Sequence, residues 1–153
     1  MLTSHAMRYS EAQTGRVFVI RLETGDRLPD AIERLADEKG IARGFLVVLG
    51  GAEDGSRIVT GPEDGVELPP IPMIHCIAGV HEIAGVGTIF PDTQGKPSLH
   101  LHAALGRSGA AVAGCTRPGV DIWKVGEVVL VELLGTGARR EIDPATGFSL
   151  LEP

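Results

Sequence analysis

His100 and His102 flank a single leucine, and Cys115 follows further along a segment rich in alanine and glycine, PSLHLHAALGRSGAAVAGCTRPG. Imidazole nitrogens and a thiolate sulfur are the donors that suit a borderline-soft divalent ion. Side chains two apart on a strand leave the same face, so the two imidazoles point together, rooted about 7 Å apart, while Leu99 and Leu101 point the other way. Gly106-Arg107-Ser108-Gly109 predicts a hairpin turn. A symmetric register then pairs Leu105 with Ala110, sets His100 opposite Cys115 and sets His102 opposite Ala113. Facing residues of an antiparallel pair share one side of the sheet, which brings the sulfur to the two rings. Two imidazoles and a thiolate favour zinc, with iron, nickel or cobalt as alternatives. Three protein ligands with one open position is the catalytic pattern, able to activate a water or polarise a carbonyl. The same residues also have a plainer reading, in which each histidine is hydrogen-bonded on a half-buried strand and Cys115 is a small core residue.

Other groups stand near this segment. His75 and His81, on or beside the preceding strands, are alternative completions of the shell or ordinary strand and loop histidines. Glu127 opens the apolar run VGEVVLVEL; facing inward it is a candidate general acid or base, facing outward it marks the start of a strand. Arg117, close behind Cys115, suits a substrate carboxylate, or else a surface ion pair. Glu53 and Glu82 flank predicted strand ends. The sequence has no phosphate-binding Gly-rich loop, no nucleophile elbow and no Cys-x-x-Cys pair, and Gly85 and Gly87 precede no helical pattern, so they read as strand packing.

The elements that must position these groups are mostly strands. RVFVIRLETG (16–25) alternates as a strand ending in a turn. Asp26 to Lys39 places Leu28, Ile32, Leu35 and Ala36 at helical spacing, with Pro29 near the start and Gly40 as the terminating glycine. The apolar run Gly44 to Glu53 and the stretch Ser56 to Thr60 read as buried or half-buried strands. GPEDGVELPPIP (61–72) is a proline-rich, acidic surface loop. Strands are then expected near Met73 to Ala78, Glu82 to Phe90, Ser98 to Leu105, Ala110 to Thr116 and Glu127 to Leu134, followed by a surface segment from Ala138 to Pro153 that contains a short strand. The predicted fold is α+β, a highly curved mixed or antiparallel sheet, barrel-like, with one principal helix packed against it. No repeat or linker divides the chain, so residues 1–153 are expected to form one domain.

At 153 residues, with 43% hydrophobic and 22% charged residues, the chain is long and apolar enough to bury a core without disulfides. Its two cysteines, Cys76 and Cys115, are therefore expected to be reduced thiols. A net charge of −6 with scattered Lys and Arg disfavours nucleic acid as a direct partner. No apolar stretch has bilayer length and MLTSHAMRYS has no signal-peptide core, which predicts a cytoplasmic protein without membrane contact.

The runs RVFVIRLETGDRLPDAIERLADEKGIARGFLVVLGGAEDGSRI, HEIAGVGTIF and PSLHLHAALGRSGAAVAGC resemble the plant-and-prokaryote-conserved (PPC) domain, whose prokaryotic members are often labelled DNA-binding proteins with a PD1-like motif. The resemblance spans roughly Arg8 to Ile142. It implies a mixed sheet carrying one main helix, and a homotrimer with sites near subunit boundaries. The implied fold is similar to that of α-acetolactate decarboxylase, in which three histidines of this hairpin hold zinc; His100 and His102 match the first two. At the third position the family commonly has Gly-Gly-His, whereas this chain has Ala113-Gly114-Cys115, so a thiolate replaces an imidazole and lowers the Lewis acidity of the ion. The functional expectation is a metal-binding protein, in its fullest form a small lyase- or hydrolase-like metalloenzyme acting on a small polar acid such as a keto or hydroxy acid. The alternative is a non-enzymatic, DNA-associated or regulatory oligomerisation module. Plant members carry a separate Arg-Gly-Arg-Pro AT-hook for the minor groove, and this chain has none.

Overall fold

The computed structural model describes residues 7–153; residues 1–6, part of the stretch read above for a signal peptide, lie outside them. The chain runs through β1 (Gln13–Leu22), β2 (Arg27–Leu28), α1 (Asp30–Lys39), β3 (Gly44–Ala52), β4 (Arg57–Pro62), β5 (Pro72–Cys76), β6 (His81–Pro91), β7 (Pro97–Arg107), β8 (Ala110–Cys115), β9 (Val120–Leu134), β10 (Arg139–Ile142) and β11 (Ser149–Glu152). One sheet is ordered β1-β9-β3-β6-β7-β8-β4-β5 with β2 added to β9, and β10 and β11 form a separate hairpin. All ladders between these strands are antiparallel, the second of the two arrangements expected for an α+β sheet with one helix packed on it, and β1 and β5 end the sheet, so among the described residues it does not close into a barrel. At the β5 edge Pro62 faces Pro72, and a proline has no N–H with which to extend a ladder.

The helix begins later than its hydrophobic spacing predicts. Arg27 and Leu28 are held as strand against Asp121 and Val120, and Pro29 occupies the N-cap. Gly40 ends the helix in the left-handed region at φ 64°, where its N–H reaches the last carbonyls. The buried side of α1, with Ile32 and Ala36 at 0% exposure, covers one face of the sheet. Glu33 ties the helix to the histidine strand, because its carboxylate accepts the Leu99 backbone N–H at 2.8 Å.

Alternation sorts the strands onto two faces. Leu46, Val48, Leu99, Leu101, Val128 and Leu130 are buried in the core. Their neighbours in sequence project from the opposite face, in a row running Val19, Val129, Val47, Val86, His102 and Cys115 across the paired strands. Much of that face is apolar and open, with Val19 at 87%, Val47 at 46% and Val86 at 64% exposure. Gly44 to Ala52, expected to be buried or half-buried, is thus buried only on its core-facing side. Strand β9 starts at Val120 and not Glu127, since its first part bonds to β2 through Val120 and Asp121 and already pairs Ile122 with Ala52 of β3, ahead of a register shift between Ala52 and Gly50.

Next to a bulge in β1, Arg16 clasps the buried carboxylate of Glu132, donating Nε–H to Oε2 and Nη2–H to Oε1, both at 2.7 Å. Those hydrogen bonds outweigh burial and hold Glu132 at about 2, below its ordinary 4.5. A carboxyl whose folded value is depressed stabilises fully above its unfolded value and loses that contribution as pH falls toward the folded one. The window here runs from pH 4.5 down to about 2. Arg16→Met is expected to raise the midpoint of acid unfolding by roughly one pH unit, followed by circular dichroism, with Glu132→Gln in the same background removing the shift.

Candidate metal centre

The β7–β8 hairpin turns more tightly than the glycines suggest. Arg107 pairs with Ala110, leaving Ser108 and Gly109 as a two-residue turn with φ of 52° and 81°. Positive φ at both central residues matches the right-handed twist of the flanking strands. Cys115 therefore faces His102, and Ala113 faces Ala104, which corrects the expected pairings of Leu105 with Ala110, His100 with Cys115 and His102 with Ala113 by two residues. Side chains alternate with a period of two, so a slip of two preserves the face, and the sulfur still comes to the histidines.

The donor atoms of His100, His102 and Cys115 all lie within 4.8 Å of one another. The two Nε2 atoms are 3.0 Å apart, with ring planes at 73°. A tetrahedral zinc site places two imidazole nitrogens about 3.3 Å apart and nitrogen and sulfur about 3.6 Å apart. The histidine pair meets this spacing almost as it stands, and the sulfur needs to close by about one ångström, within reach of small side-chain rotations. The donor set and its spacing thus fit a four-coordinate zinc with one position left for an outside ligand. Burial first, and then electrostatic repulsion from Arg117, the neighbouring His102 and Arg140, push His100 down to about 4. Its ring is therefore neutral at physiological pH, the form that ligates.

These residues form the floor of a cavity of about 780 Å³. Val59 to Pro62, Pro70 and Pro72 line it from β4 and the segment that follows, and Phe148 to Leu150 line it from the β10–β11 segment. Arg117 lines the cavity as well. Glu127 does not: it faces Leu49 on the same side of the sheet, but β9 lies three ladder positions from β7, about 14 Å at ordinary strand spacing. His75 pairs with Ile58, out of phase with Val59 and Cys115, so it leaves the opposite face. His81 holds the Gly79 carbonyl through Nδ1 at 2.9 Å. Among the described residues neither joins the cluster.

Arg140 escapes the sequence reading. It sits in a short charged segment, Arg139-Arg140-Glu141, that looks like solvent-facing hairpin, yet it is only 6% exposed and donates Nη2–H to Thr88, the residue facing His100 across β6 and β7. Burial and the nearby charge of Arg117 both lower its pKa. Only the packing of β10 on β6 reveals this, and no local sequence signal points to it.

The sequence profile of the Plants and Prokaryotes Conserved (PCC) domain matches residues 9–134. The bifunctional protein GlmU of Synechococcus sp. (strain JA-3-3Ab) is 29% identical over 136 residues, covering 87% of this chain and 20% of that protein. The chain thus spans about a fifth of the length of the curated relatives it matches. Among solved structures, a metal-containing protein of Archaeoglobus fulgidus superposes with a TM-score of 0.83 at 25% identity, over 96% of this chain and 100% of the other. A plant- and prokaryote-conserved protein of Pyrococcus horikoshii gives 0.83 at 22% identity, over 96% and 98%.

Proposed function

The chain belongs to the Plants and Prokaryotes Conserved (PCC) domain family, and on that premise we propose that it is a divalent-metal-binding protein whose pocket receives a small acid. The observation that carries this reading is the convergence of three donor atoms within 4.8 Å on a cavity floor. The metal-containing neighbour from A. fulgidus supports it. His100, His102 and Cys115 would hold zinc, which when bound supplies a Lewis acid at an open position. Arg117 would take the carboxylate of the incoming molecule, since it lines the same cavity. In its fullest form the reading is a small lyase- or hydrolase-like metalloenzyme. Glu127 enters such chemistry only if a second copy of the chain presents it, given its place three strands from the histidines.

The test is metal content. Protein purified without chelator, and again after zinc addition and desalting, is expected to carry close to one zinc per chain by atomic emission. Less than about a tenth of an equivalent after addition defeats the reading.

We also infer a homotrimer, supported by the open apolar face. Exposed valines from β1, β3 and β6 form a continuous surface there, which water solvates poorly. Sedimentation equilibrium is expected to give three chains per particle, and Val47→Glu is expected to shift the population to monomer; a wild-type monomer at micromolar concentration rules this out. The DNA-associated alternative has the net charge of −6 against it, and a tight, salt-sensitive gel shift would reverse that preference.

A further inference from the structure

Arg140 carries its charge on a side chain that is 6% exposed. Its Nη2–H donates to Thr88 Oγ1 at 3.1 Å, its guanidinium lies 5.6 Å from the Phe90 ring centroid, and its buried Nε has no hydrogen-bond partner among the described residues. Thr88 faces His100 across the ladder and shares its side of the sheet, so this cation stands beside His100, at the margin of the cavity floor. Arg117 lines the cavity itself. Among the described residues, the ion pairs involve neither arginine. A chain of net charge −6 therefore gathers two uncompensated guanidinium groups at one place. Burying a cation without a counter-charge is expensive, and an anion arriving near it relieves that cost. The rest of the lining points to the other half of a ligand: Val59, Pro62, Pro72, Ala113, Phe148 and Leu150 are apolar.

We propose that this pocket binds an amphiphilic carboxylate, its head received by Arg117 with the buried charge of Arg140 nearby on the same face, and its apolar body against Pro62, Pro72, Phe148 and Leu150. The inference rests on reading the pocket as a site for a small acid and narrows that acid to one with a hydrophobic body. It does not require the ion. Arg140, Phe148 and Leu150 all belong to the segment beyond residue 134, where the family match ends. The terminal hairpin thus acts as a specificity element, delivering both a charge and apolar lining. Arg117 is the contacting group and Arg140 a positioning residue, acting through its field and through Thr88.

Calorimetric titration of the full chain, zinc-loaded and chelator-stripped, with 3-phenylpropionate, 3-phenylpropanol and succinate tests this. The aromatic acid is expected to bind at least tenfold more tightly than the alcohol, which lacks the charge, and than succinate, which lacks the apolar body. Arg117→Gln should erase the preference for acid over alcohol while leaving alcohol binding in place. Arg140→Gln should reduce the same preference and Arg140→Lys restore it, a pattern that loss of packing alone does not produce. If Arg140→Gln does not fold, Arg117→Gln decides alone. Equal binding of acid and alcohol, or wild-type acid binding by Arg117→Gln, overturns the proposal even if zinc binds stoichiometrically. Arg117-dependent acid binding in a protein that takes up no zinc upholds it and sinks the metal reading instead.

Discussion

Replacing His102 with alanine is expected to lower zinc affinity by about 100-fold or more, while replacing Cys115 with histidine keeps the ion but erases its sulfur signature. His102 stands at the centre of the cluster. Its Nε2 lies 3.0 Å from that of His100, and its backbone faces Cys115 across the hairpin. Without it the remaining imidazole and sulfur have no shared third donor among the described residues, since His75 and His81 lie elsewhere. His100→Ala should behave alike. Cys115→His is a different experiment, because it exchanges one donor for another on the same face of β8. Cobalt substituted into the wild type should show a sulfur-to-cobalt charge-transfer band in the near ultraviolet together with tetrahedral visible bands. The Cys115→His protein should keep the visible bands and lose the ultraviolet one. Should the wild type bind cobalt without any sulfur band, Cys115 is no ligand and only the histidines remain. Competition with a chromophoric chelator measures the affinities. His102→Ala holding zinc as tightly as wild type would remove the site altogether.

What made the site readable was parity. His100, His102 and Cys115 meet because alternation in an antiparallel hairpin preserves the face, and that rule survives a mistake in the turn. The tighter Ser108–Gly109 turn moved the register by two, and the sulfur kept its side. An error of one would have removed it. The helix was readable in its second half, where Ile32, Ala36 and Gly40 follow helical spacing and termination. It was not readable at its start, because the pairing of Leu28 with Val120 joins residues far apart in the chain. The same limit hid the first part of β9, and it hid Arg140, whose burial depends wholly on a terminal hairpin folding back onto β6. The exposed face of Gly44–Ala52 shows the reverse limit. Its apolar residues suggest burial, and among the described residues of a single chain nothing covers them.

Gly114→Ala is expected to cost about 3 kcal/mol or more of stability and to weaken zinc binding, although it adds only a methyl group next to the cluster. A Cβ built at Gly114 lies 2.1 Å from the Val59 carbonyl oxygen and 2.8 Å from the carbonyl carbon. Both are backbone atoms, which cannot swing aside as a side chain would, so β4 must separate from β8. Those strands share one register pair, Val59 with Cys115, so the Val59 carbonyl lies at the point where they meet. Their separation displaces the sulfur from the histidines and opens the wall formed by Val59 and Thr60. Gly106→Ala is the matched control on the same hairpin, because its Cβ would find only the Ala110 carbonyl oxygen, at 3.8 Å. That change should leave stability within about 0.5 kcal/mol of wild type, or raise it slightly by restricting the unfolded chain. Urea unfolding of the zinc-free proteins measures the stability difference, and chelator competition measures the metal. The close approach of β4 to β8 sets the position of Cys115 only if Gly114→Ala loses both and Gly106→Ala loses neither.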